Sequence, residues 1–179
     1  SAPAPRKRLL GFKVAYIFDV SQTDGQPLPE FATIIGEPGE KLQRMEDVVR
    51  GFGIELVYEE GLSGALGVSE GGRIRVLPQL SDAEKFSVLV HETAHELLHR
   101  GERRAETTKT IRETEAESVA FVVCRASGID SGDRSRDYIQ LYNGDKDVLM
   151  DSLEHIQRVS TAILSALEEG HSETPTQTT

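Results

Sequence analysis

The chain has 179 residues, a formal net charge of −10, 28% charged and 37% hydrophobic residues, no tryptophan and a single cysteine, Cys124. That length suits one domain with a core of its own. The acidic balance argues against nucleic acid as the main partner, because phosphate binding needs clustered Lys and Arg, and one cysteine excludes an internal disulfide framework.

The opening Ser1-Ala2-Pro3-Ala4-Pro5 lacks the apolar core of a signal peptide and reads as a linker or the edge of a fragment. Arg6-Lys7-Arg8, and later Arg100 with Arg103-Arg104, are short basic clusters expected on a solvated surface. Phe12 to Val20 is rich in strand formers, and Gln22 to Gly39, with three prolines and three glycines, reads as a loop. Glu40 to about Arg50 predicts a helix with Leu42, Met45, Val48 and Val49 on one face, stopped by Gly51. Ile54 to Tyr58 predicts a short strand. Ala65–Val68 and Arg73–Val76 flank Gly71-Gly72 as the arms of a hairpin. Ser81-Asp82-Ala83-Glu84 is a capping box opening a helix to about His99. A second helix runs from Ile111 to about Ala126 and carries Cys124 as a small core residue. Gly128 to Arg136 is loop-like, Lys146 to about Leu167 predicts a long packing helix, and Gly170 to Thr179 predicts a disordered tail. No stretch is apolar enough to span a membrane, and a cytoplasmic protein, or a piece of a longer one, is the expectation.

The first long helix carries the chemistry. His91-Glu92-Thr93-Ala94-His95 places two imidazoles four residues apart, one above the other on a single helix face. Two imidazoles so placed can reach one zinc ion, and Glu92 is turned roughly 100° around the axis, beside the metal, where it can take a proton from water. The opposite side of the helix is apolar: Phe86, Leu89, Val90, Ala94, Leu97 and Leu98. A catalytic zinc needs a third protein ligand and an open position. His99 is eight residues, about 12 Å, beyond His91, too far to share the ion, and suits the negative end of the helix dipole instead. The metzincin position six residues after His95 is Gly101, which closes that route. The remaining source is the second helix, with Glu113, Glu115 and Glu117 near its start. Glu113 and Glu115 flank its apolar stripe of Ala116, Val119, Ala120 and Val123, while Glu117 points furthest away. Helical geometry leaves Glu113 and Glu115 both open.

The run from Arg73-Ile74-Arg75-Val76-Leu77 through Leu80-Ser81 and Phe86–Val90 into His91–His99 resembles the ImmA/IrrE group of zinc metallopeptidases. Glu115-Ala116-Glu117-Ser118-Val119-Ala120-Phe121 is similar to their second motif, where a Glu followed by Ala is the third zinc ligand, and the resemblance carries that role onto Glu115. Phe12 to Gly25, and the stretch from Gly128-Ile129-Asp130 through Tyr138-Ile139 to Ser152–Ile156, look like ArdC-type antirestriction proteins, which join a single-stranded-DNA-binding domain to a zincin-like domain. Only the tail of such a DNA-binding domain fits before residue 40, so DNA binding does not carry over.

The expectation is an α+β, zincin-like domain over residues 40–169, with a small antiparallel-rich sheet, an N-terminal arm over 1–39 and a tail over 170–179. The resemblance implies Zn2+ held by His91, His95 and Glu115, with Glu92 as general base of a gluzincin-like metalloendopeptidase acting on a protein or peptide. One edge of the sheet would then hold the substrate backbone by strand addition. The alternative is an ArdC-like antirestriction or interaction module whose metal site is not used for proteolysis. Tyr138 and His155 are weaker candidates to stabilise an oxyanion, each more in keeping with packing or surface.

Overall fold

A computed structural model describes residues 38–130 and 146–169. The expected strand at Phe12–Val20, nearly all of the Gln22–Gly39 loop, the Arg6-Lys7-Arg8 cluster, Tyr138 and the Gly170–Thr179 tail lie outside the described residues.

The described chain is mixed α and β, mostly helical, in the order α1 (Glu40–Gly51), β1 (Glu55–Tyr58), β2 (Gly67–Ser69), β3 (Arg73–Val76), α2 (Asp82–Leu98), α3 (Glu102–Glu106), α4 (Lys109–Ala126) and α5 (Lys146–Glu169). No helix among the described residues is long and apolar enough to cross a membrane. α1 forms as its spacing predicts, with Met45, Val48 and Val49 buried, and it ends at Gly51. The five-residue α3 falls where no element is predicted. Its sequence, Glu-Arg-Arg-Ala-Glu, has no apolar periodicity, and none of its residues is buried.

The three strands lie in the order β1-β3-β2. β3 pairs parallel with β1, from Glu55↔Arg73 to Tyr58↔Val76, and antiparallel with β2. The sheet is therefore one parallel and one antiparallel pair, not the antiparallel-rich sheet expected. Strands of three and four residues carry too little pattern to reveal their partners. The hairpin itself is as predicted. Gly71 and Gly72 have φ of 74° and 116°, a conformation that L side chains avoid and a tight two-residue turn requires. The turn closes with Glu70 N–H donating to Arg73 C=O at 2.8 Å.

α2 is the centre of the molecule. Ser81 caps it: the Glu84 carboxylate accepts from the Ser81 amide at 2.8 Å, and the Ser81 hydroxyl accepts from the Glu84 amide at 3.4 Å. Such a cap is worth about 1 kcal/mol. Phe86, Leu89, Val90 and Ala94 are fully buried, against Met45 and Val49 of α1, Ile74 and Val76 of β3, and Val119 and Val123 of α4. The polar side of α2 is covered too, since Glu92, Thr93, Glu96 and His99 are all buried. Glu96 explains part of this cover. Its carboxylate accepts from the amides of Gly71 and Gly72, each at 2.7 Å, and from the Arg100 guanidinium. The hairpin tip is thereby tied to the last turns of α2.

β2 lies directly on α2. A Cβ at Gly67 would stand 2.4 Å from Val88 Cγ1 and 3.1 Å from Glu92 Cγ. A helical valine has essentially one χ1 rotamer, so Val88 has little freedom to turn aside. Gly67→Ala is therefore expected to destabilise the fold by about 1–3 kcal/mol in chemical denaturation. Adding Val88→Ala should recover much of that loss. Unchanged stability in the single variant would refute the close approach.

Candidate metal centre

The i, i+4 spacing on α2 brings His91 and His95 together as expected, with their Nε2 atoms 3.1 Å apart. α4 packs across this face and delivers Glu113. Its Oε2 stands 3.7 Å from His91 Nε2 and 3.6 Å from His95 Nε2. A tetrahedral zinc with bonds of about 2.0–2.1 Å sets its ligand atoms roughly 3.3–3.4 Å apart, and the three separations straddle that value. The donor set, two imidazole nitrogens and one carboxylate oxygen, suits zinc and related divalent ions. Among the described residues, this is the group of His, Cys, Asp and Glu side chains whose ligand atoms all converge within 4.8 Å.

Electrostatics favour a cation here. Burial pulls the His91 imidazole down, but the Glu113 and Glu117 carboxylates carry it up to about 9. The His95 imidazole is lowered to about 4, by burial first and then by the charge of His91. Hydrogen bonding to His91 outweighs burial at Glu113 and holds its carboxyl down at about 2.

Glu115, the third ligand that the resemblance implies, is not brought to the histidine pair. Its side chain is fully buried on another side of α4. It accepts from Arg103 Nη1 and Nη2 at 2.7 and 2.8 Å, from Ser152 Oγ at 2.7 Å, and it faces His99 Nε2 at 2.8 Å. The reason is angular. Two residues along a helix turn by roughly 200°, so when Glu113 faces the α2 histidines Glu115 must face elsewhere. Burial pushes the Glu115 carboxyl up, yet Arg103, His99 and Ser152 together bring it down to about 2.

Glu117 lies one turn beyond Glu113 on the same face, and its Oε2 is 3.3 Å from His91 Nδ1. His99 sits at the C-cap of α2, as expected, but its side chain is buried between His95 and Glu115. Arg103 does not lie on a solvated basic surface; it spans Glu115 and, at 3.6 Å, Asp151. His155 pairs on its own helix with Asp151 and Arg158.

Glu92 is 8% exposed, beneath β2. Burial raises its carboxyl above the ordinary value, against the opposing pull of His91 and of the Ser69 hydroxyl and amide. Cys124 is a buried core residue, its thiol pushed up by burial to about 11.

One signal for Glu113 and Glu117 was present in the sequence: they repeat the i, i+4 spacing of the histidines they face. Arg103 and Ser152 had no such signal, because their roles depend on how α3 and α5 pack.

No family model, curated protein or solved structure matches the chain.

The two glutamates separate experimentally. Glu113→Ala is expected to lose the ion on dialysis, as are His91→Ala and His95→Ala. Glu115→Ala should keep it through dialysis, with affinity reduced by at most roughly 10–100-fold, and unfold more easily, since removing one partner of a buried ion pair commonly costs about 3–5 kcal/mol. Metal analysis with thermal melts checks both. Metal loss from Glu115→Ala with retention by Glu113→Ala would mean α4 presents its other side to α2.

Proposed function

We propose that the chain is a zinc-dependent metallopeptidase of zincin-like build, with His91, His95 and Glu113 holding the ion and Glu92 as general base. The observation that carries this reading is the convergence of those three ligand atoms beside a buried glutamate under a sheet strand. A structural zinc is normally closed by four Cys or His ligands. Here the third ligand, Glu113, keeps about half of its side-chain surface exposed, which leaves room for an open position. That favours catalysis over a module whose metal is only structural.

Bound zinc would supply a Lewis acid and lower the pKa of a water molecule. The protein's own groups do the rest. Glu92, its carboxyl raised by burial, accepts the proton of the attacking water and returns it to the leaving amine. Glu117 supports His91 from behind.

β2 suits an extended substrate. Leu77 N–H donates to Leu66 C=O, and Glu70 N–H donates to Arg73 C=O. Antiparallel pairing alternates, so Leu66, Val68 and Glu70 bond to β3, while the backbone groups of Gly67 and Ser69 turn to the other edge, where the Ser69 amide donates to the Glu92 carboxylate. β2 has no strand partner on that edge among the described residues. A peptide backbone added there would run past Glu92 and His91. A cleft of about 180 Å³, walled by Leu66, Ser87 and Val88, opens on His91, Glu92 and Glu117. A second, of about 380 Å³, opens on His95 between Ser69, Arg100 and Arg104. The two clefts offer space for side chains on either side of the histidine pair.

Glu92→Gln is expected to retain zinc while losing on the order of 10²–10⁴ in peptide hydrolysis. Metal content and cleavage of a randomised peptide library by the zinc-loaded chain check this. Loss of zinc would make Glu92 a ligand. Equal turnover would remove it from the mechanism, and no turnover by the native chain across the library would overturn the peptidase reading.

A further inference from the structure

We propose that His99 and Glu115 are positioning residues that fix the tautomer and orientation of His95 as a metal ligand. This rests on the metal-site reading above, and it follows from counting protons along the chain from His95 through His99 to Glu115.

His95 Nε2 is the atom that faces His91 Nε2 and Glu113 Oε2. To offer a lone pair there, a neutral imidazole must carry its proton on Nδ1. His95 Nδ1 is 3.0 Å from His99 Nδ1. Two N–H groups cannot face each other at that distance, so His99 Nδ1 must be the acceptor. The proton of His99 is then on Nε2, which stands 2.8 Å from Glu115 Oε2 and donates to it. The reverse arrangement would put a proton on His95 Nε2, where the ion must bind.

The end of the chain holds this order in place. Both oxygens of Glu115 are occupied: Arg103 binds each of them, and Ser152 donates to Oε1. Arg103 balances the charge of Glu115. The carboxylate is left as an acceptor for the His99 Nε2–H. The side chains of His99 and Glu115 are both at 0% exposure, so water cannot take over either hydrogen bond. Arg103 comes from α3 and Ser152 from α5, and these helices therefore set the direction in which His95 points.

The two ligand histidines are thus supported differently. His91 Nδ1 meets a carboxylate directly, that of Glu117 at 3.3 Å. His95 reaches a carboxylate only through a second imidazole. Groups that orient metal-bound histidines in this way commonly carry 10–100-fold in metal affinity.

Two measurements on the full chain test the proposal. Long-range ¹H–¹⁵N correlation spectra of the metal-free, histidine-labelled protein should show His95 as the Nδ1–H tautomer and His99 as the Nε2–H tautomer. An Nδ1–H tautomer at His99 would overturn the proposal without any metal being present. Zn2+ affinity, measured by chelator competition, should fall roughly 10–100-fold in His99→Leu, with a changed visible spectrum of the Co2+-loaded form. His99→Asn, whose Oδ1 can accept the His95 Nδ1–H, should stay close to the native affinity. Equal affinities in all three would overturn the proposal, and if His99→Leu does not fold, the tautomers and the Asn variant decide. His91→Ala separates the two readings. If native binding depends on His91 but not on His99, only the positioning role fails. If the native chain binds no zinc, or His91→Ala binds it equally, the metal site itself fails and this inference falls with it.

Discussion

The packing of α4 across the polar face of α2 is the constraint on which the rest of the site depends. Glu92, Thr93 and Glu96 of α2 and His99 at its C-cap are buried, so they have no bulk water to fall back on and must find partners within the protein. α4 supplies three carboxylates at alternate positions, and helical geometry deals them to different places. Glu113 and Glu117, one turn apart, fall on the histidine face. Glu115, turned away, falls where the end of α2 meets α3 and α5. A small rotation of α4 would misplace all three, so the apolar stripe of Ala116, Val119, Ala120 and Val123, which fixes that rotation, is as much part of the site as the acids.

The sheet contributes position rather than charge. Glu96 captures the two turn amides of the hairpin, and Gly67 lets β2 settle against Val88 and Glu92. The general base of the proposed mechanism thus owes its environment to a glycine. Without the close approach, Glu92 would be more exposed to water and its carboxyl nearer the ordinary range.

The parts of this fold that follow a period or a local rule were legible in the sequence. The capping box at Ser81, the apolar face of α2, the Gly71-Gly72 turn and the long α5 all appear at or close to their expected places. So does the convergence of His91 and His95, because i, i+4 spacing is a local property. What the sequence could not carry was relative rotation and long-range partnership. The parallel pairing of β1 with β3 joins residues 18 apart through strands of four residues. The choice between Glu113 and Glu115 depended on which side of α4 meets α2. A motif resemblance pointed to Glu115, whose two-residue offset in sequence is slightly more than a half-turn in space.

The burial of Glu115 against a partly buried Arg103 raises a question of cost. Replacing a buried ion pair by apolar side chains of similar volume is often neutral or stabilising, so stability alone does not account for one here. Apolar replacement would, however, leave His99 Nε2–H with no acceptor in a site closed to water. His99 could then relieve the unsatisfied donor by moving its proton to Nδ1, which would turn its lone pair away from His95 and force a proton onto the face where His91 and Glu113 converge. On the proposed reading, the buried pair is retained because it makes one proton arrangement the only satisfiable one. The same logic explains why its partners come from α3 and α5. A carboxylate held only by its own helix could turn with it, whereas one bound from three elements cannot.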